Sequence, residues 1–185
     1  MAQRELVELA RNGDREAFSA LAASVVDRLY ATAVLILRDH YLADDATQEA
    51  IFRAWRDLPS LRDPDRFDAW VRRLLVHACR DEGRRQRRLR PEMTLLRIHE
   101  PDVADSSAEL ADRDALDRGF RRLSSEHRTA VVLHHYLGLS MPEVADAMGT
   151  PLGTAKSRVH HASRALRAAL EADGRDVGIT RGGVA

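Results

Sequence analysis

From Pro151 to Leu170 the chain carries Lys156, Arg158, Arg164 and Arg167 and no acid, a local charge of +4. Thr154, Ser157, His160 and His161 are interspersed among them. Ammonium and guanidinium groups, hydroxyls and imidazoles in such a run suit phosphate contacts and donor–acceptor readout of base edges. A second basic stretch, Arg80 to Arg90, sets six arginines against Asp81 and Glu82, again +4. Between the two, Pro91 to Asp117 holds eight acids against Arg97 and Arg113, or −6. The formal net charge of zero thus hides a segregated pattern that suggests two polyanion-facing surfaces on two modules. For any one of these runs taken alone, a solvated helix face is the plainer reading. A further polar set, Asp45, Gln48 and Glu49, recurs at spacings of three and four and shares one side of an amphipathic helix. Such a face suits docking on a basic partner or simple solvation.

Other chemistry finds no residues to stand on. Of the eight histidines, His134-His135 and His160-His161 are adjacent pairs, and neighbours on a helix diverge by about 100°, which makes no ready chelate. The single cysteine, Cys79, has no local base or oxyanion motif and cannot form an internal disulfide, which fits a reducing cytosol. No Gly-rich phosphate cradle and no metalloprotease signature occurs. Neither a metal, a cofactor nor a small-molecule substrate is expected, and the chain does not read as an enzyme.

The elements that must carry these groups are helical. In 185 residues, 44% apolar and 31% charged, there are only 10 Gly and 6 Pro, which favours helices over a sandwich or barrel. No uncharged apolar run approaches the ~20 residues that span a bilayer, and the charged N-terminus lacks a signal-peptide stretch. The expected fold is all-α: two small helical domains joined by a flexible linker, the second a helix-turn-helix. The first module spans 5–89. It opens with a short helix ending at Asn12-Gly13, followed by a helix capped by Asp14 and a stripe through Val25, Leu29, Ala33 and Ile36. A second stripe carries Ala46, Ala50, Ile51, Ala54 and Trp55; Pro59 and Pro64 then bracket a loop. A third helix begins near Asp65, with Phe67, Trp70, Val71, Leu74 and Leu75 on one face. A basic helix beside a loop can hold unstacked single-stranded bases, and Phe67 and Trp70 could stack on them, although their spacing suits the core better. Residues 90–114 read as an acidic linker, 115–172 as the second module and 173–185 as a mobile tail.

In the second module Ser140-Met141-Pro142-Glu143 is a capping-box pattern, and its short helix stops at Gly149. Thr150-Pro151 can start another helix, Thr as cap and Pro in the first turn. In that helix Ala155, Val159, Ala162, Leu166 and Leu170 form a stripe, and the opposite face presents Thr154, Lys156, Ser157, Arg158, His160 and His161. Two short helices about a Gly turn fit a helix-turn-helix whose second helix enters the DNA major groove.

The run from Asp44 to Trp55, then Phe67-Asp68-Ala69-Trp70, the Arg-ended helix, the acidic linker and Thr154-Ala155-Lys156-Ser157-Arg158 resemble bacterial extracytoplasmic-function sigma factors, small two-domain specificity subunits of RNA polymerase. The resemblance covers about Glu5 to Ala172. It implies that Asp45, Gln48 and Glu49 dock on the clamp coiled coil of core RNA polymerase. It implies that Ser60, Leu61, Arg62, Arg66, Arg73, His77 and Arg80 melt and read the single-stranded −10 promoter element. It further implies that Thr154, Lys156, Ser157, Arg158, His160 and His161 read the −35 element as duplex. An anti-sigma protein is an expected partner by analogy, and the cytoplasm the expected location. The chain departs from the family at His77, where Asn is usual, at His161 and Ser163, where Arg is frequent, and at Ser124-Ser125, where a Pro pair is common. The alternative is a helix-turn-helix regulator that binds duplex DNA without being a polymerase subunit.

Overall fold

A computed structural model describes residues 2–89 and 116–180. The chain runs α1 (Gln3–Arg11), α2 (Arg15–Leu37) and α3 (His40–Asp57), then two 3₁₀ turns (Leu58–Ser60 and Pro64–Arg66), then α4 (Phe67–Leu89). After the undescribed stretch come helical residues 116–122 (α5), α6 (Ser125–Val131), a π-helical turn (Val132–Tyr136), α7 (Met141–Met148) and α8 (Leu152–Thr180). The described residues contain no strand. The acidic linker expected over 90–114 lies outside the described residues. The tail expected to be mobile from Asp173 is helical as far as Thr180, because α8 continues past Ala172; residues 181–185 lie outside the described set.

Helix boundaries follow local chemistry. Gly13 takes φ +94° after α1, and the Asp14 carboxylate accepts from the Glu16 and Ala17 amides at 2.9 and 3.1 Å to cap α2. Asp39 caps α3 in the same way through Tyr41 and Leu42. Ser124 accepts from the His127 amide at 3.2 Å, so a serine fills the role of the missing proline pair. At α7 the Glu143 carboxylate accepts from both the amide (2.8 Å) and the hydroxyl (2.6 Å) of Ser140, closing the capping box. These bonds favour the ionised form and hold the Glu143 carboxyl below its ordinary range. Gly149 then ends α7 in the left-handed conformation, φ +60°.

Thr150 corrects the expected start of α8. Its amide donates to Ala145 O, completing the end of α7, and its buried hydroxyl has no partner. The Pro151 carbonyl takes the first turn instead, accepting from the amides of Thr154 (2.9 Å) and Ala155 (3.1 Å).

The first core gathers Leu21, Val25, Leu29, Ile36, Phe67, Val71 and Leu75 among others between α1, α2, α3 and α4. Phe67 is fully buried there, so the core reading of this aromatic holds. Helix α2, 23 residues long with an 18-residue window of mean hydropathy 1.7, is long and apolar enough to pass for a membrane span by composition alone. Asp27 and Arg28 interrupt it, however, and its stripe packs against α1, α3 and α4. The second core gathers Leu133, Leu139, Val144, Met148, Ala155 and Val159 about the α7–α8 corner. The two cores interlock: Val76 of α4, 2% exposed, belongs to the second, whereas Leu123, Val131, Val132 and Ala162 belong to the first.

Candidate nucleic-acid and partner interfaces

Helix α3 is amphipathic by necessity: Ala43, Ala46, Thr47, Ala50 and Ala54 face the core, so Asp44, Asp45, Gln48 and Glu49 must face solvent. The structure brings Asp45, Gln48 and Glu49 together there as expected. Gln48 donates its amide to the Asp44 carboxylate at 3.0 Å, and Glu49 accepts from Arg53 Nε at 2.6 Å. Arg53 also reaches Asp81 on α4 at 3.1 Å, which ties the outer face of α3 to the arginine-rich helix. Tyr41, 84% exposed, and Phe52 stand at the two ends of the acidic stripe. Spacings of three and four place both on the side of α3 that bears Asp45, Gln48 and Glu49, so the two rings stand uncovered.

The residues expected to read a single strand divide into three groups. Ser60, Arg62 and Arg66 are exposed on the loop between α3 and α4. Leu61 is not: it is 6% exposed within the first core, because the loop needs an apolar anchor between its two 3₁₀ turns. It positions the loop and has no surface to offer a base. Arg73, His77 and Arg80 follow one side of α4. Beside them an open groove of about 490 Å³ is lined by Arg53, Arg56, Trp70, Arg73, Leu74 and His77 together with Glu49 and Asp57, which pair with Arg53 and Arg56. Arg53 and Arg56 are lining residues that spacing within α4 does not reveal, since they arrive from α3, whereas half-buried Trp70 lines the groove from α4 itself.

His77 is half-buried, and its Nε2 has no hydrogen-bond partner. Burial, and then the charges of Arg80 and Arg73, hold its titration below the ordinary histidine range. The folded chain therefore binds fewer protons at this site than the unfolded chain. The contribution of His77 to stability is intact above its unfolded pKa of about 6.5 and is lost as pH falls through it. Thermal melts at pH 7.5 and 5.5 should show a loss of Tm at the lower pH that is smaller in His77→Asn; an identical loss in both proteins would remove the imidazole from the account.

Cys79, two residues on and on the inner side of α4, is 1% exposed, and burial pushes its thiol up to about 12. It is a small core residue with no thiolate at neutral pH.

On α8 the inward residues, Ala155 and Val159 in the second core and Ala162 in the first, leave Lys156, Ser157, His160 and His161 on an exposed face, with Arg164 continuing it by a turn. Thr154 is half-buried at the first turn. Arg158 differs from expectation. Its side chain is only 18% exposed and is paired with Glu126 of α6. In a helix, position 158 falls between the outward face and the α6 contact, and a carboxylate 32 residues earlier draws the guanidinium inward. Arg158 thus positions α8 on α6 and has little freedom to reach a base.

Two family models match the chain: Sigma-70 region 2 over residues 21–89 and Sigma-70, region 4 over residues 113–166. The chain is 35% identical over 162 residues to the ECF RNA polymerase sigma factor SigM of Mycobacterium tuberculosis, spanning 88% of this chain and 81% of that protein. It is 26% identical over 184 residues to the ECF RNA polymerase sigma factor SigW of Bacillus subtilis, spanning 90% and 96%. Among solved structures it resembles CnrH in complex with the cytosolic domain of CnrY, with TM-score 0.65, 29% identity, and 94% and 99% of the two chains covered. The sigma factor RpoE of Bartonella quintana, in complex with the anti-sigma factor NepR, shares the fold at TM-score 0.65 and 24% identity over 83% and 96% of the chains.

Proposed function

The chain belongs to the extracytoplasmic-function sigma factors of RNA polymerase, and from that premise we propose how its surfaces divide the work of initiation. The exposed acidic stripe of α3, through Asp45, Gln48 and Glu49, docks on core polymerase, with Tyr41 and Phe52 flanking the contact. The loop residues Ser60, Arg62 and Arg66 and the α3–α4 groove with Arg73, His77 and Arg80 hold the opened −10 strand. The exposed face of α8, Lys156, Ser157, His160 and His161, enters the major groove at −35. The polypeptide contributes no catalytic step of its own and works wherever the polymerase is, in the cytoplasm. CnrH, which this chain resembles, is seen bound to the cytosolic domain of CnrY, and on that likeness a protein antagonist is proposed for this chain too.

The observation that carries this reading is the anionic stripe of α3 standing exposed on the same module as the basic side of α4 that bears Arg73 and Arg80. A protein that only gripped duplex DNA would be repelled by phosphates at the one and would have no use for the other. Run-off transcription with purified core polymerase on genomic fragments, followed by mapping of RNA 5′ ends, tests it. Initiation at defined starts is expected, and the absence of any start would overturn the proposal. At a promoter so mapped, Lys156→Ala should weaken binding of the −35 duplex by ~1–3 kcal/mol, measured by titration of a labelled duplex. Equal affinity would move the reading face elsewhere on α8.

A further inference from the structure

Helix α1 precedes residue 21, where the region 2 match begins, yet it grips the loop proposed to hold the −10 strand. Its inner residues Val7 and Ala10 are buried in the same core as Leu58, Leu61 and Phe67, and this fixes the helix against α2 and both 3₁₀ turns. The first turn of α1 therefore lies at the end of the loop. Arg4 Nη1 donates to the Asp65 carboxylate at 2.8 Å, and Gln3 donates its amide to Asp68 at 3.0 Å. Arg28 of α2 reaches the second oxygen of Asp68 at 3.1 Å. Glu8, one turn along α1, accepts from Arg4 Nε at 3.3 Å and so holds the guanidinium in that direction.

The loop needs such partners. Residues 62–68 set Arg62 and Arg66 against Asp63, Asp65 and Asp68, two cations against three anions, a charge of −1. A surface of that sign repels a phosphate backbone unless its carboxylates are taken up. All three are: Asp63 accepts from the Asp65 amide at 3.1 Å, and α1 and α2 hold Asp65 and Asp68. Arg62 and Arg66 are exposed and pair with no acid among the described residues. At the other end of the loop, Arg56 shows the competing outcome: it donates through Nε and Nη2 to its chain neighbour Asp57, both at 2.8 Å. Asp65 and Arg66 are neighbours in the same way, and a released Asp65 carboxylate would take Arg66 as Asp57 takes Arg56.

We propose that Arg4 is a positioning residue for strand recognition: it holds the Asp65 carboxylate away from Arg66, which leaves that guanidinium free for a phosphate of the opened −10 strand. Gln3 and Arg28 retain Asp68 in the same manner. This inference rests on the role proposed above for the loop. An exposed ion pair contributes little to folding, so the signature of Arg4 lies in strand binding and its salt dependence rather than in stability.

The test uses the full chain bound to core polymerase and a labelled single-stranded oligonucleotide with the −10 sequence of a promoter mapped by run-off transcription. Arg4→Ala should weaken binding of that strand about fivefold. It should also flatten the slope of log affinity against log salt by about 0.7, the share of one phosphate of a single strand. Arg4 is exposed, so the thermal melt should match that of the wild type, as should the affinity for the −35 duplex. Adding Asp65→Asn to Arg4→Ala removes the carboxylate that would capture Arg66 and should restore both affinity and slope. Arg4→Lys, which keeps the charge, should retain most of each. Unchanged affinity and slope in Arg4→Ala would overturn the proposal. So would a loss that Asp65→Asn fails to restore, since α1 would then act through the shape of the loop and not through its charges. Arg66→Ala separates this inference from its premise. If Arg66→Ala weakens strand binding while Arg4→Ala does not, the role of Arg4 falls and that of the loop stands. If Arg66→Ala binds the strand as the wild type does, both fall together.

Discussion

Replacing Asp45 and Glu49 together by arginine is expected to weaken association with core polymerase by about a hundredfold or more, ~3 kcal/mol. Both side chains stand exposed on one face of α3, and neither supports the core, so the fold should survive. Asp45 loses an attraction and gains a repulsion. The Glu49 change does the same and also frees Arg53 from its 2.6 Å bond, leaving it held by Asp81 alone. Like charges set against each other across an interface cost several kcal/mol, and a partner basic enough to select an acidic stripe meets four new positive units of difference. Titration of labelled variant against core polymerase measures the loss. Since the attraction is electrostatic, the wild-type affinity should also fall with added salt, and the variant's should not. Unchanged affinity would leave the acidic stripe without its role.

The second large effect is on stability. Phe67→Ala should lower the free energy of unfolding by ~3–5 kcal/mol, because a fully buried ring leaves both its transfer energy and a cavity behind. Urea unfolding followed by circular dichroism measures it. Phe67→Leu, which refills most of the volume, should recover the greater part. If Phe67 instead stacked on a base, the two variants would unfold like the wild type and differ in strand binding.

Phe67 also marks the limit of what spacing can reveal. Its position relative to Trp70, Val71 and Leu74 assigns it to the apolar face of α4, and the core is where it sits. Caps and stops were equally legible, since Asp14, Ser140-Glu143 and Gly149 act through neighbours within a few residues along the chain. The exposed face of α8 and the acidic stripe of α3 follow from the same periodicity. What periodicity lacks is the identity of the covering partner. Leu61 reads as a loop residue, yet it is an anchor, because the surface that buries it comes from other elements. Arg158 looks like its neighbours until Glu126 arrives from α6. Thr150 has the composition of a cap, yet its hydroxyl meets no amide of α8. Val76 has helical spacing that says nothing about which of two cores receives it. Arg53 and Arg56 join the α4 groove only because α3 packs alongside.

The exchange of side chains between the two cores bears on how such proteins diversify. Were the lobes independent cassettes, one could be transplanted from any relative and the hybrid would keep its partner's surface untouched. Here a graft brings its own residue to the place of Val76, and its own neighbours to Leu123 and Val132, so the donor and acceptor halves must match in shape as well as in the promoter they recognise.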